Sequence, residues 1–494
     1  MADVGISSLV GYIPKLRLLR KSVTEANAWL APNLLGKGKG TKSISNWDED
    51  SVTMSVEAAR RLLGPEDDRS YVDNLFLAST TLPFADRLNS GIVRAALTLE
   101  ESTQCTDISS TLKCGTTALI NAISSVQSGK SNYSLVLTSD KRKSRVASAQ
   151  ELDFGDASTA ISVSNKDIIA KVLATASISV DFVDHFRGPN EEFDYNWEER
   201  WIRDEGYLKI MPKLINNLLE ENSINPSEIS KFILPCVFPR VPQTISKICG
   251  IDPENVVDNM ALNIGDTGSS HSLLMLTHVL ENSSPNEKIL VCSFGGGGDA
   301  ILIETTDLIK KFKNEESISS MLDSGVEETN YMKYLTFNDL VKWEKGMRGE
   351  IDRKTALTTL YRHNDAIIGL VGGKCSKTGT IQFPPSRISV SPNSPDIDTQ
   401  EPYKLAEKKA NILSWSADYL SFSINPPNYY GIVSFEEGGR IMMDFTDVGE
   451  GEIESGKDVK MVFRIKAVDE ARGLQGIFGK LYLFKIKYGN LTKS

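Results

Sequence analysis

Residues capable of covalent or proton-transfer chemistry stand at the ends of predicted helices and strands. Cys114 and Asp266 each lie at the start of an apolar helix. Cys236 follows a short strand, and His185 lies beside Asp184. A thiol at a helix N-terminus gains thiolate character, and a carboxylate or an imidazole can accept or donate a proton. The candidate chemistry is therefore nucleophilic catalysis by a thiol or general acid–base catalysis.

Each of these residues also has a purely structural interpretation. Free cysteine is often a small buried hydrophobe, which would account for Cys114 and Cys236. Asp266 could simply cap the helix that follows it. In a buried cleft it would instead be a general acid or base with a raised pKa. His185 could belong to a surface loop, so both interpretations stay open from the residues alone.

Other polar side chains are weaker candidates. His271 and His278 lie seven residues apart on one face of a predicted helix, which favours packing. Tyr195 and Tyr207 are phenols that could transfer a proton or simply form a pocket wall. The basic run Lys141–Arg145 is interpreted as a solvated loop, with a phosphate contact as the alternative.

An internal repeat of the sequence, called the sequence echo below, places two helix starts in matching positions. Gly115-Thr-Thr-Ala-Leu-Ile-Asn-Ala begins one helix, and Gly268-Ser-Ser-His-Ser-Leu-Leu-Met begins another. A strand and a similar closing segment follow each helix, namely Phe154-Gly-Asp-Ala-Ser-Thr-Ala and Phe294-Gly-Gly-Gly-Gly-Asp-Ala. Two such halves predict one site between their helix N-termini, unless the similarity is fortuitous. The cluster Gly295–Gly298 lacks dinucleotide-binding spacing and predicts a tight turn with close backbone approach.

Composition describes an ordinary globular chain. It has 494 residues, of which 40% are apolar and 24% charged, and a net charge of -10. This charge argues against nucleic-acid binding. The six cysteines lack the dense spacing of a disulfide scaffold. The sequence shows neither a leader pattern nor the ~18–20 consecutive apolar residues of a membrane span. We therefore expect a cytoplasmic protein without a membrane partner.

The order of predicted elements divides the chain into four parts. Up to position 305, strand-like runs alternate with helical periodicity and predict an α/β fold in two halves, 1–165 and 166–305. The charged segment 306–364 predicts a helical connector. Short strands and turns from 365 to 490, including a hairpin around Glu436-Glu-Gly-Gly, predict a small all-β module.

The N-terminal part resembles hydroxymethylglutaryl-CoA synthases and the initiating ketoacyl synthases of the thiolase superfamily. The resemblance implies a thiolase-like duplicated α-β-α-β-α layered fold, an acyl-CoA substrate and a homodimer. It rests on short motifs in the same order, which are Asp48-Glu-Asp-Ser-Val-Thr-Met-Ser-Val-Glu-Ala-Ala, Phe154-Gly-Asp-Ala, Gly265-Asp-Thr-Gly and Phe294-Gly-Gly-Gly-Gly-Asp-Ala.

The catalytic positions of the resembled enzymes are replaced in this chain. Those enzymes use a Cys-His-Asn set and a covalent acyl-cysteine. Aligned on the helix that follows, the cysteine position falls on Leu112. The histidine position falls on Cys236, the asparagine position on Asp266, and a synthase glutamate on Thr80. These replacements disfavour covalent condensation, and Cys114 would need a shifted turn to act in place of Leu112.

The C-terminal module resembles the zinc-ribbon and OB-fold domain that often accompanies thiolases acting on acyl-CoA. Lys374-Cys-Ser-Lys-Thr-Gly and Phe383-Pro-Pro-Ser-Arg carry this similarity. The ribbon of that family binds zinc through two cysteine pairs, whereas this chain keeps Cys375 and has Thr378 at the companion position. Because a structural zinc ion needs four ligands, we expect no zinc, and the barrel that follows is expected to be of the OB type.

The resemblance and its departures leave three functions. The first is an acyl-CoA carbon–carbon bond enzyme of the aldol or retro-aldol type, which uses Asp266 and His185 and forms no acyl-enzyme. The second is a hydroxymethylglutaryl-CoA synthase with Cys114 as nucleophile. The third is a non-catalytic acyl-CoA-binding subunit with a thiolase as its partner. In all three the coenzyme A thioester is a ligand or substrate, and no covalently bound cofactor is expected.

Overall fold

The structure, a computed structural model, describes residues 3–346, 357–449, 451–468 and 480–487. Strands of two main groups, an N-terminal sheet and a C-terminal barrel, account for most of the β-structure. The strands are β1 (Gly5–Tyr12), β2 (Leu16–Leu19), β3 (Thr41–Ile44), β4 (Asn74–Ala78), β5 (Gln104–Ile108), β6 (Tyr133–Asp140), β7 (Ala157–Ser164), β8 (Ala170–Ser179), β9 (His185–Phe186), β10 (Tyr195–Asn196), β11 (Ile229–Ile233), β12 (Lys288–Phe294), β13 (Gly297–Thr305), β14 (Val326–Glu328), β15 (Val371–Cys375), β16 (Ile381–Gln382), β17 (Gln400–Lys404), β18 (Ala410–Asp418), β19 (Asn428–Phe435), β20 (Arg440–Thr446), β21 (Asp458–Val468) and β22 (Lys480–Lys487).

Helices alternate with strands through the first part of the chain. A π-helical segment, Ile202–Tyr207, directly precedes α7. The α-helices are α1 (Arg20–Asn27), α2 (Ser51–Leu63), α3 (Asn89–Ala96), α4 (Cys114–Gln127), α5 (Ala149–Asp153), α6 (Glu199–Trp201), α7 (Leu208–Glu221), α8 (Val241–Ile248), α9 (Ala261–Ile264), α10 (His271–Leu280), α11 (Ile318–Asp323), α12 (Tyr331–Phe337), α13 (Leu357–Arg362) and α14 (Asn364–Ile368).

A nine-stranded sheet forms the centre of the molecule, in the order β11-β12-β13-β8-β1-β7-β6-β4-β5. Its halves repeat one arrangement. In the first half β4 pairs in parallel with β6, which pairs antiparallel with β7. In the second half β11, β12 and β13 pair in the same way. β1 and β8 join the halves. The sequence echo therefore corresponds to a duplicated α/β fold, as predicted.

The matching helices α4 and α10 lie at the centre of this duplicated fold. Nearly every residue of α10 is buried, because its side chains are apolar or small on all faces. The two helix starts meet where Gly115 packs against the carbonyl oxygen of Ser269, an approach that leaves no room for a Cβ atom. This contact brings together the two turns that the sequence predicts to form one site.

The C-terminal barrel, closed by β18-β19-β20-β22-β21, is fixed to the α/β part by buried charges. Glu57 of α2 accepts a hydrogen bond from the backbone N–H of Phe463 at 2.8 Å. Arg464 of β21 is completely buried and pairs with Glu49 and with Asp447. Because breaking such a buried pair costs about 3–5 kcal/mol, the barrel is a firmly attached part of the molecule.

The connector differs from its prediction, whereas the hairpin agrees with it. Strand β14 pairs in parallel with β2 inside the segment expected to be helical. The physical reason is the open edge of β2, which offers unpaired backbone groups to a passing segment. β19 and β20 form the antiparallel hairpin predicted around Glu436. Within the described ranges, we find no helix with the length and apolar character needed to cross a bilayer.

Candidate functional site

The turn before α4 is the place where the resemblance puts a catalytic cysteine. Leu112 occupies that position and is half-buried, and Ser110 adopts a φ of 78°, which few residues other than glycine, asparagine and aspartate adopt. Cys114 is the first residue of α4 and is completely buried. Burial, together with the Asp140 carboxylate, raises the pKa of the Cys114 thiol far above its ordinary value. The lowered pKa that a helix N-terminus favours is therefore not found, because burial outweighs it.

A buried ion pair anchors this first turn to β13. Lys113 Nζ lies 2.9 Å from Oδ1 of Asp299, whose side chain is completely buried. The same carboxylate accepts hydrogen bonds from the hydroxyl groups of Thr116, Thr117 and Ser177 at 3.0, 2.6 and 2.8 Å. Both carboxylate oxygens are thus occupied by donors from this chain. The polar groups of the first turn serve its structure.

The glycine cluster closes the other side of the same turn. Thr111 donates a hydrogen bond from its hydroxyl to the carbonyl oxygen of Gly295 at 2.7 Å. A Cβ atom on Gly295 would lie 3.1 Å from the backbone nitrogen atoms of Leu112 and Lys113. The close backbone approach expected from the glycines is therefore confirmed, and it confines the turn between α4 and β12–β13.

The matching turn of the second half presents Asp266, whose side chain is 23% exposed. Its Oδ2 lies 2.9 Å from Nη2 of Arg142, and its Oδ1 accepts a hydrogen bond from the backbone N–H of Gly268 at 3.0 Å. The contact with Gly268 lies at the start of the short helical turn Gly268–Ser270, although the N-cap position itself belongs to Thr267. The ion pair with Arg142 is additional to that contact.

The charge of Asp266 is set by Arg142. Burial favours the neutral carboxyl, but the Arg142 guanidinium, with His271 adding to it, lowers the pKa of Asp266 below its ordinary value. Of the two interpretations left open by the sequence, the one with a raised pKa for Asp266 therefore does not hold. The expectation of a solvated basic loop is also wrong at Arg142, which is buried with its guanidinium 3.8 Å from the ring centroid of Phe154. Asp266 is consequently held as an anion.

His185 lies in the short β9–β10 hairpin beside this pair. Its Nδ1 is 2.9 Å from Oδ2 of Asp184, and its side chain is 19% exposed. Burial lowers the pKa of His185, but the hydrogen bond and charge of Asp184, with Asp194 adding to them, raise it above its ordinary value overall. Since Nδ1 faces Asp184, proton exchange with a ligand would use Nε2.

Arg187 holds this hairpin against the first half. Its Nη1 lies 2.8 Å from Oδ1 of the buried Asp194, and its Nη2 donates to the carbonyl oxygen of Thr80. Thr80, at the position of the synthase glutamate, donates its N–H and its hydroxyl to Asp140 at 2.7 and 3.0 Å. Asp140 also accepts the N–H of Ser269 at 2.7 Å. This chain of contacts joins the hairpin to both central turns.

Tyr207 ends the π-helical segment and links the remaining candidates. Such segments are rare and are frequently found at functional sites. Burial raises the pKa of Cys236 to about 12, although the Tyr207 side chain acts in the opposite direction. Burial also raises the pKa of Tyr207 well above its ordinary value, with the charges of Asp184 and Asp266 adding to the effect. Tyr207 therefore remains protonated, as a hydrogen-bond donor within electrostatic range of both aspartates.

Two other sequence candidates have structural surroundings, although His271 borders the cluster with its Nδ1 3.9 Å from Oδ1 of Asp266. His271 is buried, and its Nδ1 accepts the N–H of Thr267 at 3.0 Å while its Nε2 lies 2.8 Å from the carbonyl oxygen of Asn259. This arrangement agrees with the packing role. Tyr195 is 55% exposed and packs its ring against Phe186 in the hairpin.

Arg142, Asp194 and Asp299 were not singled out from the sequence. The sequence contained a signal for Asp299, because this residue directly precedes the apolar run Ala300–Ile303 and repeats the position of Asp156, which is also buried. Arg142 had a weaker one, since it follows a strand almost directly. Asp194 had none, because its partner Arg187 is recognisable only once the hairpin is formed.

Metal ligands are sparse in the described ranges, where no group of three or more His, Cys, Asp or Glu side chains is arranged to hold an ion. Cys375 Sγ lies 3.1 Å from the Thr399 hydroxyl. The expected absence of zinc continues to rest on the four-ligand requirement and stays a prediction.

Sequence comparisons agree with the two-part architecture. Residues 219–303 match the family model of the C-terminal part of 3-oxoacyl-[acyl-carrier-protein] synthase III, and residues 403–464 match that of the C-terminal OB-fold domain of ChsH2. Hydroxymethylglutaryl-CoA synthase of Picrophilus torridus is 27% identical over 347 residues, which span 68% of this chain and 97% of the relative. The enzyme of the same name from Caldivirga maquilingensis is 27% identical over 351 residues, 69% of this chain and 99% of the relative.

Structural comparisons give the same fold. A crystal structure of HMG-CoA synthase complexed with CoA superimposes with a TM-score of 0.60 at 18% identity, covering 72% of this chain and 95% of the other. The HMG synthase of the curacin biosynthetic pathway, in complex with apo donor-ACP, gives a TM-score of 0.59 at 15% identity, covering 82% and 100%. At these identities the likeness establishes the fold alone.

Fold and sequence together define the class: a thiolase-like protein whose chain continues into a C-terminal OB-fold domain. Within that class, the thiolase-like part is similar in sequence to hydroxymethylglutaryl-CoA synthases over almost their whole length. The fold class and the domain fusion predicted from the sequence are confirmed.

Proposed function

We propose that this protein binds an acyl-CoA thioester and makes or breaks a carbon–carbon bond by an aldol-type reaction, without an acyl-cysteine intermediate. The observation that carries the proposal is a contrast between two sets of residues. Cys114 is buried and protonated, whereas Asp266 and Asp184, the partner of His185, are carboxylates whose charges both act on the Tyr207 phenol. A thioester ligand is supported by the relatives named hydroxymethylglutaryl-CoA synthase and by the neighbour complexed with CoA.

In the cleavage direction the substrate would be a β-hydroxyacyl thioester. His185 accepts the hydroxyl proton through Nε2, the alkoxide oxygen forms a carbonyl group, and the bond between the α- and β-carbons breaks. Its electron pair becomes the enolate of the shorter thioester. The proton held by His185 then passes to the α-carbon, so that the products are a carbonyl compound and a shorter acyl-CoA. Synthesis is the same sequence in reverse.

Tyr207 and Asp184 have supporting roles in this scheme. Because its pKa is raised, Tyr207 stays protonated and can donate a hydrogen bond to the enolate oxygen. The Asp184 carboxylate favours the protonated His185 that forms during the reaction, and Arg142 keeps Asp266 ionised.

The decisive experiment is mass spectrometry of the purified protein incubated with a panel of β-hydroxyacyl-CoA thioesters and with labelled acetyl-CoA. We expect a shorter acyl-CoA and a carbonyl product, with no added mass on the protein. An acetylated Cys114 would instead support a synthase. Binding without turnover, both alone and with a thiolase added, would support a non-catalytic subunit.

A homodimer and a cytoplasmic location are parts of the same proposal. The dimer follows from the resemblance, in which thiolase-like proteins pair through an edge of the central sheet, and β5 forms one edge of this sheet. Sedimentation equilibrium of the full chain tests it, because a single species of 54.4 kDa would contradict it.

A further inference from the structure

A cavity of about 1270 Å³ lies between the thiolase-like part, the connector helix α12 and the OB-fold barrel. Thr80 and Arg187 both line it, and they are in contact with each other. Arg187 also pairs with Asp194, one of the charges that raise the pKa of His185. The cavity is therefore connected through Arg187 and Asp194 to the surroundings of His185.

One wall of this cavity is aromatic. The rings of Trp343 and Phe422 stack with centroids 5.5 Å apart and planes inclined by 17°. Both residues line the cavity, together with Tyr419. Trp343 keeps 38% of its surface exposed and Tyr419 keeps 70%, although both border a concave surface. Exposed aromatic surface of this kind gains free energy when an apolar or planar group covers it.

Four of the six lysine and arginine side chains that line the cavity are paired with carboxylates. Lys143 lies 2.6 Å from Glu192, and Lys466 pairs with Asp444, so that each lysine faces a carboxylate. Both of these lysines and both of their carboxylate partners line the cavity. A phosphate group would have to displace these carboxylates, whereas an uncharged group would not. The charges therefore favour an uncharged occupant for the space beside the aromatic wall.

The size and rigidity of the cavity point to a large occupant. Pockets for ligands of drug size measure about 300–1,000 Å³, and an acyl group of a few carbons would fill a small part of this one. The barrel that forms the opposite wall is fixed by the buried Arg464, so the space persists without a ligand.

We propose that this cavity binds the acyl portion of the thioester, and that the natural acyl portion is bulky and apolar, either branched or ring-bearing. The inference rests on the proposed function for the position of the thioester. A planar ring could also come from the adenine of coenzyme A, so the experiment must separate the two sources.

Calorimetric titration of the full-length chain with free CoA, acetyl-CoA and phenylacetyl-CoA makes this separation. We expect phenylacetyl-CoA to bind at least about tenfold more tightly than acetyl-CoA. Trp343→Ala should remove that preference and leave the affinities for free CoA and acetyl-CoA unchanged. Trp415→Ala is the matched control, because Trp415 is 41% exposed on the barrel and does not line the cavity.

A second variant, which fills the cavity, distinguishes loss of binding from a structural effect of Trp343→Ala. Ser423 lines the cavity, and Ser423→Trp should weaken phenylacetyl-CoA binding while acetyl-CoA binding is retained. Equal affinities for both thioesters would overturn the inference, and so would a Trp343→Ala variant that weakens free CoA equally. Because the readout is binding, a failure of turnover with the preference intact would count against the proposed function alone.

Discussion

The two turns that meet at the centre of this fold differ in the burial and charge of their candidate reactive groups. At the first turn, Cys114 is buried and protonated. Lys113 is paired with the Asp299 carboxylate, whose two oxygen atoms both accept hydrogen bonds from this chain. In the second, Asp266 stays partly exposed and ionised beside Arg142. Two halves of a duplicated fold can thus keep matching geometry at a shared site while only one of them presents a charged, partly exposed side chain there.

The largest effect is expected when the charge of the second turn is removed. Asp266→Asn should lower turnover of a β-hydroxyacyl thioester because Arg142 loses the charge that balances it, and His185→Ala should lower turnover by about 10²–10⁴-fold because proton transfer contributes effects of that size. Steady-state product analysis measures both. Thermal unfolding is the control, since Arg142 loses its ion-pair partner in Asp266→Asn. Full activity in both variants would remove the aldol assignment.

Removal of the ion pair at the first turn should lower the stability of the protein. Asp299→Asn leaves Lys113 without its counter-charge in the interior, and we expect the free energy of unfolding to fall by about 3–5 kcal/mol. Denaturant titration measures the change. Asp307→Asn is a matched control, because that aspartate pairs with Lys310 at the surface and should change stability by less than about 0.5 kcal/mol. An equal decrease in the free energy of unfolding in the two variants would show that the buried Lys113–Asp299 pair stabilises the protein no more than a surface ion pair does.

A smaller effect is expected on the pH dependence of His185. Its folded pKa is raised, so the stability it contributes is complete below the unfolded value of about 6.5 and is lost as pH rises through the folded pKa. His185→Gln should therefore destabilise the protein at acidic pH and have progressively less effect above neutrality.

The same residue should govern the acid side of the activity profile. A base must be deprotonated, so turnover should fall below a pKa that lies above about 6.5. Asp184→Asn removes the main partner that raises this pKa, and the profile should move to lower pH. Rates measured across the acid range check the direction, and a shift to higher pH would contradict the assigned role of Asp184.

Local patterns in the sequence predicted the helices, strands and turns. They did not predict the ion pairs that form between these elements. The helix at Cys114, the hairpin around Glu436 and the glycine turn follow from periodicity and turn chemistry, which act over a few residues. Arg142 meets Asp266 across 124 positions of the chain. Because that contact exists only after the two halves pack, neither the burial of Arg142 nor the lowered pKa of Asp266 could be predicted from spacing.

The smallest effect is expected at Cys114 itself. Cys114→Ala removes one buried sulfur atom, so stability should fall by about 1 kcal/mol while turnover stays that of the parent chain. Because burial raises the thiol pKa so far, iodoacetamide should leave Cys114 unmodified in the native protein and alkylate it after denaturation. Peptide mapping of both samples measures this difference. Rapid native alkylation, combined with loss of turnover in Cys114→Ala, would return the catalytic role to the first turn.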